Sequence, residues 1–328
     1  MAIRIETHPV IRRHPANPIL TGAMVPYPAG LVFNAGVTKF QGRYVMVFRN
    51  DVADLKAKKL LGKTNLGLAF SKDGVKWDVS KKPCFDMKSD EIARAYDPRL
   101  TAIDGRCYMC FAVDTRHGVR GGIAVTEDFE TFEVLHLTVP DNRNMVLFPE
   151  KVDGRYVRLE RPFPVYSRGR FEAFDIWFAR SPDLRYWGDM ELVLGAEQVA
   201  WVNNKIGPAA PPVKTPHGWL TLFHGVDKDD ARASWGWEGN WKKRYSAGIM
   251  LLDLKEPWKI VGLCPDPLIV PEPGIEYEAR GFRDYVIFPG GMILEPDGEV
   301  KIYYGAADTV ECLATAHVDE LVKLCRKR

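Results

Sequence analysis

Hydrophobic and polar residues alternate along short runs of this chain, and these runs come in pairs. Each pair has a β-rich run, a polar turn that contains glycine, and a second β-rich run, which predicts an antiparallel hairpin. Five hairpins of this kind can be recognised, over residues 33–50, 96–114, 146–162, 206–226 and 285–308. A recurring hairpin indicates a repeat architecture.

A second motif follows the first three hairpins. It is a β-rich run, a Ser/Thr-x-Asp turn and an aromatic residue that begins a fourth run, over residues 67–77, 122–132 and 175–187. The fourth unit has a degenerate version over residues 247–258, and the fifth has only residues 311–318. We expect the N-terminal segment to supply the missing outer strand of the fifth unit and so to close the ring.

Four-stranded antiparallel units repeated around an axis are the blades of a β-propeller. The sequence therefore predicts an all-β, five-bladed β-propeller with a central channel. A β-sandwich is the alternative, but five hairpins with similar polar ends favour the propeller. Helical patterning is scarce: residues 89–95 predict a short turn of helix and residues 319–327 a terminal helix. No linker or shift in composition divides the chain, which predicts one domain over residues 1–328.

Composition narrows the functional classes. The chain has 328 residues and a formal net charge of +2, without the basic stripe that is typical of nucleic-acid binding. No apolar run reaches the roughly 20 residues that span a membrane, and the first residues lack the apolar segment of a signal peptide. The six cysteines are scattered, as in reduced cytoplasmic proteins. We therefore expect a cytoplasmic protein without a nucleic-acid or membrane partner.

Cys107 and Cys110 form a C-x-x-C sequence, but they lie within a predicted strand. A spacing of three sends two side chains to opposite faces of a strand. Two buried thiols are expected here, and no metal site.

Unusual polar residues lie at the ends of the predicted hairpin strands. In a propeller the innermost strands converge on the axis, so groups at one end of these strands meet. The set consists of Asn34, Arg49, Asp97, Arg143, Asn144, Arg161, Lys205, His224 and Asp308, with Tyr245 after the fourth hairpin.

This set is rich in cations and poor in carboxylates. Arginines and a lysine that face one point would bind a dianion such as phosphate, and Asp97 beside them could act as a general acid. A glycoside hydrolase normally needs two carboxylates. If phosphate is the nucleophile the second is unnecessary, so the set favours phosphorolysis over hydrolysis.

Each residue also has an ordinary structural explanation. Asp97 could cap a turn and pair with Arg99, and Asp308 could cap another turn. Arginines are commonly solvated, Lys205 could simply be exposed, and a lone histidine such as His224 is more often part of the core. Recurrence at equivalent strand ends is the argument for function.

Two loops are candidates for the rim of the channel. Residues 227–245 form a polar loop with three tryptophans, Trp235, Trp237 and Trp241. Exposed tryptophans can stack on sugars, or they can pack onto the rim itself. Residues 163–174 are the second candidate.

Seven motifs stand out along the chain: FNAGV at Phe33, VFRND at Val47, YDPRL at Tyr96, DNRNMVLFPEKVDGRY at Asp141, KIGPAAPP at Lys205, FHGV at Phe223 and YYGAADT at Tyr303. Together they resemble glycoside hydrolase family 130. These are inverting β-mannoside phosphorylases with a five-bladed propeller, and the branch acting on β-1,4-mannooligosaccharides is the most similar. The resemblance covers residues 33–316.

The resemblance implies a role for each residue. Asp97 would be the catalytic acid, acting on the glycosidic oxygen through the mannose 3-hydroxyl. Asn34, Arg49 and Asp308 would hold the transferred mannosyl unit, and Ala35 leaves only a backbone contact beside Asn34. The phosphate-binding residues would be Arg143, Asn144, Arg161, Lys205, His224 and Tyr245.

The expected reaction is phosphorolysis of β-1,4-mannooligosaccharides to α-mannose 1-phosphate and a shortened acceptor. Inorganic phosphate is a co-substrate, and we expect no metal or other cofactor. Alternatives are phosphorolysis of mannosyl-glucose or of β-1,2-mannosides, a β-mannosidase, or a carbohydrate-binding module without turnover. The aromatic rim loops are consistent with a homo-oligomer.

Overall fold

The computed structural model describes residues 5–164 and 174–325. In chain order the strands are β1 (Arg12–Arg13), β2 (Leu31–Phe40), β3 (Arg43–Asp54), β4 (Lys59–Ser71), β5 (Asp78–Val79), β6 (Ile92–Ile103), β7 (Arg106–Thr115), β8 (Gly118–Thr126), β9 (Glu133–Leu137), β10 (Asn142–Leu147), β11 (Tyr156–Pro162), β12 (Ile176–Ser181), β13 (Gly188–Leu194), β14 (Lys205–Pro208), β15 (Val213–Thr215), β16 (Gly218–Lys228), β17 (Lys243–Leu252), β18 (Ile260–Leu263), β19 (Ile287–Leu294), β20 (Glu299–Ala306) and β21 (Val310–His317). The helices are short: α1 (Glu276–Ala279), α2 (Val318–Leu324) and 3₁₀ turns at Gly22–Met24 and Ala196–Gln198.

The strands form five antiparallel sheets, which are the five blades of the predicted propeller. Blades 1, 2 and 3 are β2–β5, β6–β9 and β10–β13, and blade 4 is β14, β16, β17 and β18 with β15 added on β16. Blade 5 has the order β1-β21-β20-β19. All five hairpins that the sequence predicts are present, so the propeller prediction is confirmed and the sandwich is excluded.

The N-terminal segment closes the ring, as the sequence predicts. Strand β1 pairs with β21, and Arg12 lies opposite Thr315. The contact continues to Asn17, whose side chain exchanges hydrogen bonds with the backbone of Leu313 at 2.8 and 2.9 Å. The first and last parts of the described chain are therefore tied together in one blade.

One helix prediction is wrong and one is confirmed. Residues 92–95 belong to strand β6, where Ala95 pairs with Val113. Local helical propensity is weak compared with the ladder and buried face that β7 offers this segment. The terminal helix is present as α2, with the side chain of His317 accepting a hydrogen bond from the Asp319 N–H.

The core consists of five hydrophobic clusters, one between each pair of neighbouring blades. Strand β3 shows why, because successive side chains on a strand point to opposite faces. Met46 and Phe48 pack between blades 5 and 1, whereas Val45 and Val47 pack between blades 1 and 2. Both faces of a blade therefore pack against its neighbours, and a single blade would expose both apolar faces to water.

The Ser/Thr-x-Asp motif forms the same turn in three blades. In blade 1 the Ser71 hydroxyl accepts hydrogen bonds from the N–H groups of Asp73 and Gly74. Asp73 in turn accepts from Val75 and Lys76, and these backbone donors lower its pKa to about 2. Thr126 with Asp128 and Ser181 with Asp183 repeat the arrangement.

The first strands of the blades, β2, β6, β10, β14 and β19, approach one another closely around the axis. Glycine makes this approach possible. A Cβ on Gly290 of blade 5 would lie 2.0 Å from the Ala35 carbonyl oxygen of blade 1, and a Cβ on Gly36 would lie 2.8 Å from the Cα of Arg99. Backbone contact between neighbouring inner strands therefore sets the width of the channel.

Adding one methyl group at this contact tests its role. We expect Gly290→Ala to lower the free energy of unfolding by about 1–3 kcal/mol, because the backbone must shift to avoid overpacking. The matched control is Gly188→Ala, whose Cβ meets nothing within 4 Å, and which should change stability by less than about 0.5 kcal/mol. Urea unfolding measures both. Equal stability of the two variants would contradict the close inner-strand contact.

Candidate active site

A polar cavity of about 350 Å³ lies where the inner strands meet. It is lined by every residue that the sequence analysis singled out except Lys205: Asn34, Arg49, Asp97, Arg143, Asn144, Arg161, His224, Tyr245 and Asp308. The other lining residues include Asp51, Arg94, Tyr96, Glu238, Trp241, Arg283 and Phe288. Groups from all five blades thus converge on one point.

Equivalent β-bulges present three of these side chains. The register of the inner strand shifts by one residue between Phe33 and Gly36, between Tyr96 and Arg99, and between Arg143 and Val146. A bulge re-aims a side chain that would otherwise follow the regular alternation.

The residue that opens each bulge has a left-handed backbone. Asn34, Asp97 and Asn144 have φ values of 51°, 53° and 60°. Asn and Asp tolerate this conformation better than other non-glycine residues. Three blades therefore use the same local device to direct a short polar side chain into the channel.

The Asp97 carboxylate is held by groups of blade 1. Its Oδ1 accepts hydrogen bonds from Asn34 Nδ2 at 3.0 Å and from Arg49 Nη1 at 3.1 Å. Burial raises the pKa of Asp97, but Arg49 and the other nearby cations lower it by more, so the pKa lies below its ordinary value. In the free site Asp97 is therefore ionised at neutral pH.

The turn-capping explanation for Asp97 is wrong in one respect, because Arg99 does not bond to its carboxylate. Arg99 is buried and donates to the backbone oxygens of Ala209 at 2.6 Å and Pro98 at 2.7 Å. Its charge still acts on Asp97 through space.

Asp308 belongs to a network that the sequence analysis missed. Arg283 bridges Asp308, at 3.2 Å, and Glu238 of the tryptophan loop, at 2.9 Å. Burial raises the pKa of Asp308 despite the opposing charges of Arg283 and Arg49. Asp97 and Asp308 are thus buried carboxyl groups of the same cavity whose environments move their pKa values in opposite directions.

The opposite part of the cavity is cationic. Arg161 is 1% exposed, and its Nη1 lies 3.4 Å from His224 Nε2. Arg143 donates to the Tyr96 hydroxyl at 3.2 Å. Within the described part of the chain, Nε and Nη2 of Arg161 and Nε of Arg143 are buried without a hydrogen-bond partner. Buried donors of this kind are costly unless an acceptor binds them.

Burial and neighbouring positive charge lower the pKa values of two of these groups, Arg161 and His224. Burial and the neighbouring Arg143 lower the pKa of Arg161 to about 9. Burial and Arg161 also lower the pKa of His224 far below its ordinary value. No ion pair to a carboxylate is found for Arg143 or Arg161 among the residues described. Such an arrangement is suited to binding an anion.

Lys205 lies outside the cavity lining but close to this cluster. Its Nζ is 5.6 Å from the centre of the Tyr245 ring. Burial and the charge of Arg161 lower the pKa of Lys205 to about 6. The explanation that Lys205 is simply exposed therefore fails, and its charge is coupled to that of the cluster.

Other residues that the sequence analysis missed form hydrogen bonds that support the site. Tyr96 donates to Asp114 at 2.7 Å, and Arg94 donates to the same carboxylate at 2.7 Å. Tyr96 directly precedes Asp97, and its position on the inner strand could have marked it. Arg283 and Glu238 come from segments outside the hairpin repeat, where no repeating pattern pointed to them.

The three tryptophans of loop 227–245 have different environments. Trp241 stacks on Tyr245 at 5.8 Å and lines the cavity, whereas Trp237 packs edge-on against Phe282. Trp235 is 55% exposed. Packing onto the rim is seen for Trp237, and stacking on a sugar stays a prediction for Trp235 and Trp241. Of the second candidate rim loop, residues 165–173 lie outside the described residues.

The remaining sequence predictions concern thiols, metals and membranes. Cys107 and Cys110 are buried in different clusters on opposite faces of β7, as expected. Among residues 5–164 and 174–325 there is no group of three His, Cys, Asp or Glu side chains placed to hold a metal ion. No helix in these ranges is long and apolar enough to cross a membrane.

Comparison with known proteins gives the same family that the sequence motifs resemble. The profile of glycoside hydrolase family 130, described as β-1,4-mannooligosaccharide phosphorylase, matches residues 2–327. A β-1,4-mannooligosaccharide phosphorylase of Ruminococcus albus is 33% identical over 95% of this chain and 90% of its own length. A 1,2-β-oligomannan phosphorylase of a Thermoanaerobacter species is 30% identical, over 88% of this chain and 91% of its own.

A solved structure has the same fold. The β-1,2-mannobiose phosphorylase of Listeria innocua, in complex with β-1,2-mannobiose, superimposes with a TM-score of 0.80 and 27% identity. The match covers 96% of this chain and 99% of that one. The chain is an enzyme that belongs to glycoside hydrolase family 130, the mannoside phosphorylases.

Proposed function

We propose that this enzyme catalyses the phosphorolysis of β-1,4-mannooligosaccharides, releasing α-mannose 1-phosphate and an acceptor shortened by one mannose. The observation that carries the proposal is the basic cluster of Arg143, Arg161, Lys205 and His224, whose buried N–H groups lack carboxylate partners among the described residues; burial and neighbouring positive charge lower the pKa values of Arg161, Lys205 and His224. A phosphate dianion would relieve this repulsion and accept hydrogen bonds from the unpaired N–H groups. The similarity to the Ruminococcus albus enzyme supports the β-1,4 linkage.

In this proposal Asn144 and Tyr245 complete the phosphate site, and Asn34, Arg49 and Asp308 hold the mannosyl unit. One phosphate oxygen attacks the anomeric carbon as the bond to the glycosidic oxygen breaks. Asp97 supplies the proton to the leaving oxygen, relayed by the mannose 3-hydroxyl. The proton carried by hydrogen phosphate restores Asp97, so the reaction is balanced. A single displacement inverts the anomeric configuration.

The low pKa of Asp97 in the free site needs an explanation if Asp97 is the acid. The charges of Arg49, Arg99 and Arg143 keep it ionised. A bound phosphate dianion beside Arg143 would offset part of this positive charge and raise the pKa of Asp97. By linkage, protonation of Asp97 would in turn favour phosphate binding. Phosphate therefore both attacks the sugar and prepares the acid.

We also propose that the enzyme acts in the cytoplasm and that it uses no metal ion. Phosphorolysis inside the cytoplasm would conserve the energy of the glycosidic bond as a sugar phosphate. Arginines would neutralise the phosphate charge in place of a metal ion, since fixed cations act strongly in a water-poor site. We also propose that the enzyme self-associates through its aromatic rim loops.

The first prediction from this proposal concerns the nucleophile and the linkage. With phosphate, β-1,4-mannobiose should yield α-mannose 1-phosphate and mannose at a rate that a chelator leaves unchanged. The value of kcat/KM should exceed those for β-1,2-mannobiose and mannosyl-β-1,4-glucose. Ion chromatography of the products measures all three substrates. Release of mannose at the same rate without phosphate would instead indicate a β-mannosidase.

The second prediction from this proposal separates the roles of Asp97 and Asp308. Asp97→Asn should lower kcat by about 10²–10⁴-fold, which is the usual contribution of a general acid. Asp308→Asn should mainly raise KM for the mannoside, because it removes a binding contact. Steady-state kinetics on folded variants, checked by circular dichroism, measures both effects. If Asp308→Asn loses kcat and Asp97→Asn retains it, the acid is Asp308.

The third prediction concerns proton uptake. Lys205 has a pKa of about 6 in the free site, so at about pH 7.5, above that pKa, it is mostly neutral. A bound anion raises the pKa, and phosphate binding should therefore take up protons. Titration calorimetry in buffers of different ionisation enthalpy measures the number of protons taken up for each phosphate bound.

Lys205→Gln should reduce proton uptake, whereas the control Lys214→Gln, at an exposed ion pair with Glu150, should leave it unchanged. Equal uptake by wild type and Lys205→Gln would show that Lys205 is not coupled to the phosphate site.

A further inference from the structure

A buried carboxyl group lies next to the active site without lining it. Glu311, on β21, is fully buried, and its Oε2 accepts a hydrogen bond from the backbone N–H of Ala35 at 3.1 Å. Its backbone is fixed on both sides, by Gly305 of β20 and by Leu20 of the N-terminal segment. The mechanism proposed above gives this group no role.

The bulges explain why Ala35 needs an acceptor. A bulge leaves one residue of the inner strand outside the regular ladder. The residues that follow the left-handed position are Ala35 in blade 1 and Pro98 in blade 2. Pro98 has no N–H group to satisfy. Ala35 has one, and Glu311 accepts from it.

The same contact lies directly behind Asn34. The Asn34 amide is packed on the backbone of Gly305, where an added Cβ would lie 2.3 Å from Asn34 Oδ1. Asn34 Nδ2 donates to Asp97 Oδ1 at 3.0 Å. A shift of the bulge at Ala35 would therefore change the position of the Asn34 amide, which bonds to Asp97.

Arg99 holds the neighbouring bulge from the same side. It donates to the backbone oxygens of Pro98 at 2.7 Å and Asn34 at 3.5 Å. Its positive charge acts on both Asp97 and Glu311. Glu311 and Arg99 thus form a buried layer beneath the two bulges that present Asn34 and Asp97.

We propose that Glu311 is a positioning residue for the reaction: its carboxyl oxygen fixes the bulge at Asn34 and Ala35, and so holds the Asn34 amide against Asp97. This inference rests on the proposed function, in which Asp97 is the acid. Burial raises the pKa of Glu311 to about 8, so the group is mainly neutral at neutral pH. A neutral glutamine can then replace it, because it keeps the acceptor oxygen.

The test compares side chains of similar size with and without an acceptor. Glu311→Gln keeps the oxygen, and Glu311→Met and Glu311→Leu supply volume without it, so one of the two can fail to fold without ending the test. Phosphorolysis of β-1,4-mannobiose with inorganic phosphate is followed across a pH series. Thermal unfolding of each variant is measured in parallel.

The matched controls are Glu278→Gln and Glu278→Met. Glu278, in α1, is also fully buried, but it accepts hydrogen bonds from Arg13 and Tyr304 of blade 5 and does not line the cavity. If Glu311 had a purely structural role, activity would fall in step with stability in the variants of both Glu311 and Glu278.

We expect the Met and Leu variants of Glu311 to lose kcat by about 10–100-fold, as expected for a small misplacement of a catalytic group. The pKa of Asp97 in the pH profile should rise, because the Asn34 hydrogen bond that lowers it is lost. Glu311→Gln should stay within about threefold of wild type, well inside that range. The Glu278 variants should keep kcat and the pH profile whatever their stability.

Two outcomes overturn the inference: kcat and pH profile unchanged in Glu311→Met or Glu311→Leu, or Glu311→Gln as impaired as those variants. If wild type itself releases no mannose 1-phosphate, the proposed function fails first, and this result is distinct from an active wild type with unaffected variants.

Discussion

The structure depends on how closely five inner strands can approach one axis. On a regular inner strand the side chains alternate between the two neighbouring blade interfaces, so a short polar side chain needs a local change of direction to reach the channel. A one-residue bulge with a left-handed Asn or Asp solves this problem in three blades, at Asn34, Asp97 and Asn144. Glycines such as Gly290 then allow the backbones to touch. The chemistry of the site follows from this geometry.

The convergence of the inner strands also concentrates charged side chains in the channel. The described cavity places carboxyl groups and their arginine partners on one side, around Asp97 and Asp308, and cations without carboxylate partners on the other, around Arg143 and Arg161. Such a cluster is unfavourable by itself, because buried like charges repel one another. A dianion converts this cost into affinity. An enzyme that uses water as nucleophile would have no need for this arrangement.

Much of this could be predicted from the sequence. Alternation and turn residues were enough for the five hairpins and the ring closure. The polar residues singled out from the repeat are nine of the twenty described residues that line the cavity. The helix predicted over residues 89–95 was wrong because pairing with β7 outweighs local preference. The bulges could not be predicted, since a one-residue register shift depends on the partner strand. Three Asn or Asp residues at equivalent positions were the available signal.

The recurrence of polar residues at strand ends could not identify residues that lie outside the repeat. Arg283 and Glu238 come from segments that meet only when blades 4 and 5 are packed, and Glu311 lies beneath the cavity on a third strand. Their partners are set by the fold and not by spacing along the chain.

The most direct test of the central claim is a crystal structure with phosphate and mannose bound. The account predicts phosphate hydrogen-bonded to Arg143 and Arg161 near His224, on the face of the mannose ring opposite Asp97. Phosphate bound elsewhere, with only water between the arginines and the anomeric carbon, would contradict it.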